Sequence, residues 1–230
     1  VDLGRTAAGL FLAIDLVLWA WSLTQTSVGN ATLLANLTPL FTTLGACFFG
    51  KHFDLKFLVG LVIAVGGMVA IGLEDWIGTA DKFQGDVAAL AAALAFGVYL
   101  LLLEKLQTRL NPSQILFWSS AAASILTLPL VLLVNGNLLP ASWQDWLASG
   151  ALVLVCQIMG QGLLVYSLNY FSSALVALCL LLDPVIAALG TDLFFAEKLD
   201  VSNWLAFVVV LLGMYFALSS QSQTMTAAND

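Results

Sequence analysis

Two carboxylates stand in the middle of long apolar runs: Asp15 within residues 7–24 and Asp183 within residues 172–195. At the centre of a membrane-crossing helix an ionisable side chain costs about 2.5–3.5 kcal/mol on insertion scales, so it marks a functional position unless a partner explains it. Trp19 and Ser22 follow Asp15 at i+4 and i+7, on the same helical face. Asp183 directly precedes Pro184, with Cys179 one turn earlier. The structural reading of each carboxylate is a hydrogen bond to a neighbouring helix; for Asp183, backbone groups freed by the proline are an added partner. The chemical reading is a group that binds a substrate amine or carries a coupling proton. Other polar side chains lie in the neighbouring apolar runs 30–49 and 147–168. Thr32, Asn36 and Thr43 form a stripe at i, i+4 and i+11, and Gln157 and Gln161 lie one turn apart. Such amides and hydroxyls also serve as packing elements between helices. Taken together with Asp15 and Asp183, on the first, second, sixth and seventh apolar runs, they suggest one polar cavity. Ser120, Ser124 and Thr127 form a further stripe to one side, and Asp192 reads as a solvated rim residue.

Several chemistries are missing. No Lys or Arg lies at mid-run depth, so nothing would hold a phosphate-bearing substrate. The one histidine, His52, has no clustered metal ligands around it. Cys47, Cys156 and Cys179 match no metal spacing and read as small buried side chains. There is no glycine-rich nucleotide loop, so no cofactor is expected and an enzyme is not indicated. The formal net charge of −7 comes without a basic patch, which excludes nucleic acid as a partner.

The elements that must position these groups are membrane spans. Of 230 residues, 61% are hydrophobic and only 9% charged, with mean hydropathy +0.99; a soluble domain carries about 25% charged residues. The composition predicts an all-α membrane protein with the lipid bilayer around it. Eight apolar segments have spanning length: 7–24, 30–49, 56–73, 85–103, 113–134, 147–168, 172–195 and 203–220. The first is not read as a signal peptide, because it pairs with the sixth in an internal repeat. Asn36-Leu37-Thr38-Pro39 has its echo in Leu181-Leu182-Asp183-Pro184, 145 residues later. Ser22-Leu23 matches Ser167-Leu168 and Leu44-Gly45 matches Leu189-Gly190 at the same offset. After a one-residue shift, Asp54 matches Asp200 and Gly67-Met68 matches Gly213-Met214. A step of five segments is odd, so each partner crosses in the opposite direction. Inverted repeats of this kind build secondary transporters, with the substrate site near the midplane between the copies.

Lys and Arg set the orientation. With the N-terminus inside, Arg5, Lys51, Lys56, Lys105 and Arg109 lie inside and only Lys82 and Lys198 outside, which predicts N-in and C-in. Trp76, Trp143, Trp146 and Trp204 then fall near the outer interface. Gly85, Ala89, Ala93 and Gly97 form a small-residue ladder for close helix packing, and Gly60, Ala64 and Gly67 form a second.

The stretch Asn30 to Phe41 with Phe48-Phe49-Gly50, the helix from Gly85-Asp86 to Tyr99, and Leu182-Asp183-Pro184 to Leu189 with Phe194 to Leu199 and Leu212-Gly213 together resemble the EamA-like branch of the drug/metabolite transporter superfamily. The resemblance implies ten helices in two inverted sets of five. Residues 1–73 would be the last three helices of the first repeat, 74–84 a linker, 85–220 a second five-helix repeat and 221–230 a disordered tail. The missing pair would precede residue 7, so the chain reads as lacking its first two helices. Lys51 stands where the pattern carries a Glu like Glu197. The resemblance implies a secondary transporter of the inner (plasma) membrane that exports a small polar metabolite, an amino acid or related zwitterion, by rocking around the Pro39 and Pro184 breaks. A passive channel and a truncated, non-transporting fragment are the competing readings. It further implies that the path is lined by the spans carrying Asp15, Trp19, Asn36, Gln157, Gln161 and Asp183, joined by Phe96 and Tyr99. A homodimer, or a partner supplying the missing pair, are the assemblies this helix count leaves open.

Overall fold

The computed structural model describes residues 3–76, 83–108, 110–135, 142–186 and 201–227, and these are helical with short turns. The helices are α1 (Leu3–Gln25), α2 (Val28–Ala35), α3 (Thr38–Phe48), α4 (Leu55–Trp76), α5 (Phe83–Leu106), α6 (Pro112–Asn135), α7 (Trp143–Leu152), α8 (Gln161–Ser167), α9 (Ser173–Cys179) and α10 (Val201–Ala227). A π-helical stretch, Val153–Gly160, joins α7 to α8. Five continuous or near-continuous elements are long and apolar enough to cross a membrane: Gly4–Gln25, Asn30–Phe48, Phe83–Leu106, Pro112–Leu133 and Trp143–Ser167. Three shorter apolar helices, Leu55–Val69, Ser173–Ile186 and Trp204–Ser220, complete the eight among the described residues. The chain is a multi-pass helical membrane protein.

The two proline sites are breaks, but the proline does not make the gap. Asn36 closes α2, its amide nitrogen donating to the Thr32 carbonyl at 2.8 Å and its backbone N–H reaching the same oxygen. Pro39 then sits at the start of α3, where its missing N–H would have had no helical partner anyway. The Thr38 hydroxyl donates to the Ala35 carbonyl at 2.8 Å, so a backbone group freed by the break stays satisfied. In the second copy, α9 ends at Cys179, a turn follows, and Pro184 lies in the helical residues 182–186 beyond it.

Local bonding repeats along with the sequence. The Ser22 hydroxyl donates to the Trp19 carbonyl and the Ser167 hydroxyl to the Leu164 carbonyl, both at 2.7 Å. Ser27 caps α2 and Ser172 caps α9 through their side-chain oxygens. Each pair is separated by the offset of the repeat.

A close seam joins α4 and α10. These helices meet backbone to backbone: a Cβ on Gly213 would stand 2.3 Å from the Ala64 nitrogen, and one on Gly67 would stand 2.9 Å from the Val210 nitrogen. Ala64 and Val210 are repeat partners, as are Gly67 and Gly213. The contact is therefore made twice, with the roles exchanged, as a two-fold relation between the copies demands. Gly60 meets Ala217 while Gly67 meets Val210, so the helices run antiparallel.

Close approach also fixes α5. Gly85, Ala89, Ala93 and Gly97 are all buried. A Cβ on Gly85 would lie 2.8 Å from the Thr26 backbone and one on Gly97 would lie 3.2 Å from Phe41 Cβ. α5 is thus wedged against the α1–α2 hairpin and α3, while α1 also packs on α6. Two apolar cores result. One gathers Leu12, Tyr99, Leu100 and Val165; the other gathers Phe57, Leu61, Leu181 and Val210. α9 serves both, giving Val176 and Ala177 to the first and Leu175 and Leu178 to the second.

Two expectations change here. Cys47, Cys156 and Cys179 are exposed rather than buried, because each lies on an outward helical face that a bilayer would cover. The tail expected to be disordered from 221 is helical as far as Ala227, since α10 simply continues. Arg109, Lys82, Asp192 and Lys198 lie outside the described residues.

Candidate functional site

A cavity of about 260 Å³ opens where the two copies of the repeat meet, between α1, the α2–α3 break, α5, α8 and the end of α9. It is lined by Asp15, Trp19, Ala35, Asn36, Thr38, Pro39, Phe96, Gln161, Ala177, Leu180 and Asp183. The repeat passes through it: Ala35 and Leu180 are partners, and so are Thr38 and Asp183. The broken helices bring helix ends and polar side chains to a place that continuous helices would fill with apolar groups.

Five of the side chains singled out by type and spacing meet here: Asp15, Trp19, Asn36, Gln161 and Asp183. Among the described residues, neither carboxylate has a side-chain hydrogen-bond or ion-pair partner. The structural reading of Asp15 and Asp183 required such a partner. The Gln161 carbonyl oxygen is likewise buried without one. Asn36 and Thr38 are held by the break itself, and the Thr38 hydroxyl also approaches the Ala93 carbonyl of α5 at 3.3 Å.

Two others do not reach the cavity. Gln157 donates to the Ser120 hydroxyl of α6 at 2.8 Å and lines a different, larger groove of about 620 Å³. That groove is flanked by Phe117 and Ile158, 64% and 53% exposed, so it faces outward. Gln157 lies within the π stretch and Gln161 follows its end; an i→i+5 ladder changes the angle between successive side chains, so directions read from the α-helical period do not hold here. Tyr99 is fully buried in the first core, stacked on Phe96 with ring centroids 5.7 Å apart. Phe96 alone of this pair lines the cavity.

A polar node missing from the sequence reading sits at the far end of α5. Glu104 pairs with Lys51 and accepts from both the Ser173 hydroxyl, at 2.7 Å, and the Ser173 backbone N–H, at 3.3 Å. It ties the start of α9 and the loop after α3 to α5. At the opposite end the Thr26 hydroxyl donates to Asp86 at 2.8 Å and holds the α1–α2 hairpin on α5. Lys51 is 40% exposed, so its pair with Glu104 is worth about 0–1 kcal/mol. Losing the acceptor for two Ser173 donors costs more, about 2–3 kcal/mol. Glu104→Ala should therefore lower the melting temperature in detergent clearly more than Lys51→Ala. Equal losses would show that Ser173 does not depend on Glu104.

The model of the EamA-like transporter family matches residues 5–73 and 83–219. The chain is 26% identical over 196 residues to a pseudopaline exporter of Pseudomonas aeruginosa, covering 84% of this chain and 66% of that protein. It is 25% identical over 232 residues to an S-adenosylmethionine uptake transporter of Rickettsia felis, covering 96% of this chain and 74% of that protein. The chain thus spans about two thirds to three quarters of the length of these curated relatives. One solved crystal structure shares the fold at a TM-score of 0.80 and 18% identity, over 95% of this chain and 76% of the other.

Proposed function

This chain belongs to the EamA-like transporter family, and from that premise we propose that it is a secondary transporter moving a small, polar, amine-bearing metabolite, such as an amino acid or a relative of one, by alternating access. The observation that carries this is the cavity at the repeat seam, where two unpartnered carboxylates, an unpartnered amide and two aromatic rings face one space. In this reading Asp15 and Asp183 hold the substrate amine, Asn36 and Gln161 orient it, and Trp19 and Phe96 close around it. The halves divide as 1–73 and 85–220, rocking about the breaks near Pro39 and Pro184. Export is supported by the pseudopaline exporter among the relatives; the uptake transporter makes direction something to measure. The protein sits in the inner (plasma) membrane with both ends inside.

The test is exchange in proteoliposomes. Saturable flux accelerated by substrate on the far side is expected. Flux that stays linear in concentration and shows no counterflow would make it a passive channel, and no flux of any amine-bearing solute would make it a non-transporting chain. Orientation is checked by single cysteines at His52 and Trp146 in a background without Cys47, Cys156 and Cys179. They should react from opposite sides, and reaction from one side would refute the crossing number.

A further inference from the structure

We propose that the cavity selects an organic amine without a carboxylate, so that a decarboxylated amine binds in preference to its parent amino acid. This deepens the transport reading and relies on it only for the cavity being the substrate site. The argument is a count of donors and acceptors. Asn36 has committed its amide nitrogen to the Thr32 carbonyl, and the single hydroxyl hydrogen of Thr38 is committed to Ala35 or Ala93. What remains for a ligand is mostly acceptors: both carboxylates, and the Gln161 carbonyl oxygen, which is buried and unpartnered. Among the described residues, no Lys, Arg or His lines the cavity. The donors left over, on Gln161 and the Trp19 indole, are neutral.

An ammonium group brings three donors and no acceptor. It matches the free acceptors, and the Trp19 and Phe96 rings in the lining offer cation–π attraction. A ligand carboxylate brings the reverse. It would share about 260 Å³ with two groups of its own charge and find no cation to pair with. An amino acid thus gains at one end of the molecule and loses at the other.

Matched sets test this on the purified full chain in nanodiscs: isobutylamine, valine and isovalerate, and cadaverine against lysine, with binding read by calorimetry and exchange measured in parallel in proteoliposomes. Each amine is expected to bind at least about tenfold more tightly than its amino acid, because the amino acid must also bury a carboxylate beside like charges with no cation to pair it, and isovalerate is expected not to compete. Valine binding as tightly as isobutylamine, or no amine binding at all, overturns the proposal. Valine exchange without an amine preference would sink this inference and leave the transport reading standing. Amine binding with the expected preference but no exchange of any solute would do the opposite. Asp183→Asn should weaken isobutylamine at least about tenfold and narrow the gap to valine, and Asp15→Glu, which keeps the charge, should preserve the preference. A gap unchanged in Asp183→Asn also counts against the proposal.

Discussion

Gly213→Leu is expected to abolish recovery of folded, monodisperse protein. A Cβ at this position would lie 2.3 Å from the Ala64 nitrogen and 2.6 Å from the Gly60 carbonyl oxygen, and both are backbone atoms that no rotamer change can move. The side chain can be accommodated only if α4 and α10 separate along the seam. In lipid, helices are held together by close packing rather than by a hydrophobic drive, so separation forfeits most of what joins them. The overpacking cost is about 3 kcal/mol or more. Gly66→Leu is the control on the partner helix α4, because nothing lies within 4 Å of a Cβ there. Size-exclusion profiles and melting curves of the two variants in detergent are the measurement. A monodisperse Gly213→Leu with the parent's melting temperature would mean that α4 and α10 do not pack backbone to backbone.

Asp15→Asn should lower substrate exchange about 10–100-fold, while Gln157→Ala leaves it within about twofold. The asparagine keeps the shape of the side chain and removes its charge. A hydrogen bond to a charged group is worth about 1.5–3 kcal/mol, which sets the range. Gln157 bonds Ser120 in the outward groove and has no atom to offer the cavity. Initial rates of counterflow, normalised to reconstituted protein, decide between these outcomes. Undiminished exchange in Asp15→Asn would remove this residue from the path. A deep loss in Gln157→Ala would relocate the path to the groove beside α6.

The contrast between these two residues shows what the sequence could and could not reveal. Asp15, Asn36 and Asp183 stand out because polar atoms are costly at that depth, and the repeat offset says which helices must face each other. The close-packing side of α4 was legible in Gly60, Ala64 and Gly67, but that its partner is α10 emerges only from the fold. Placing Gln157 beside Gln161 assumed an unbroken α-helical period, and nothing in Val153–Gly160 announces the π ladder that rotates one away from the other. Phe96 and Tyr99 entered the expected pocket through the family resemblance, which names their helix but not which of its side chains reach the path; the structure buries the tyrosine in the core. The breaks were located by their prolines, yet each gap opens just before the proline, which starts the next helical piece instead of interrupting one. Glu104 escaped notice because an acid beside Lys105 near a helix end reads as ordinary surface. Its importance lies in Ser173, distant in sequence, which only the folded chain brings to it.

The antiparallel glycine seam sets the order of events during synthesis. α4 leaves the ribosome early, and its partner α10 is the last helix among the described residues. At about 5–20 residues per second, the roughly 150 residues between Gly60 and Gly213 take about 10–30 s to translate. Throughout that interval the flat, small-residue side of α4 has only lipid tails against it, and lipid tails fill such a surface poorly. A nascent chain stalled before Val201 would present that unpaired side to whatever membrane protease or chaperone surveys half-made proteins.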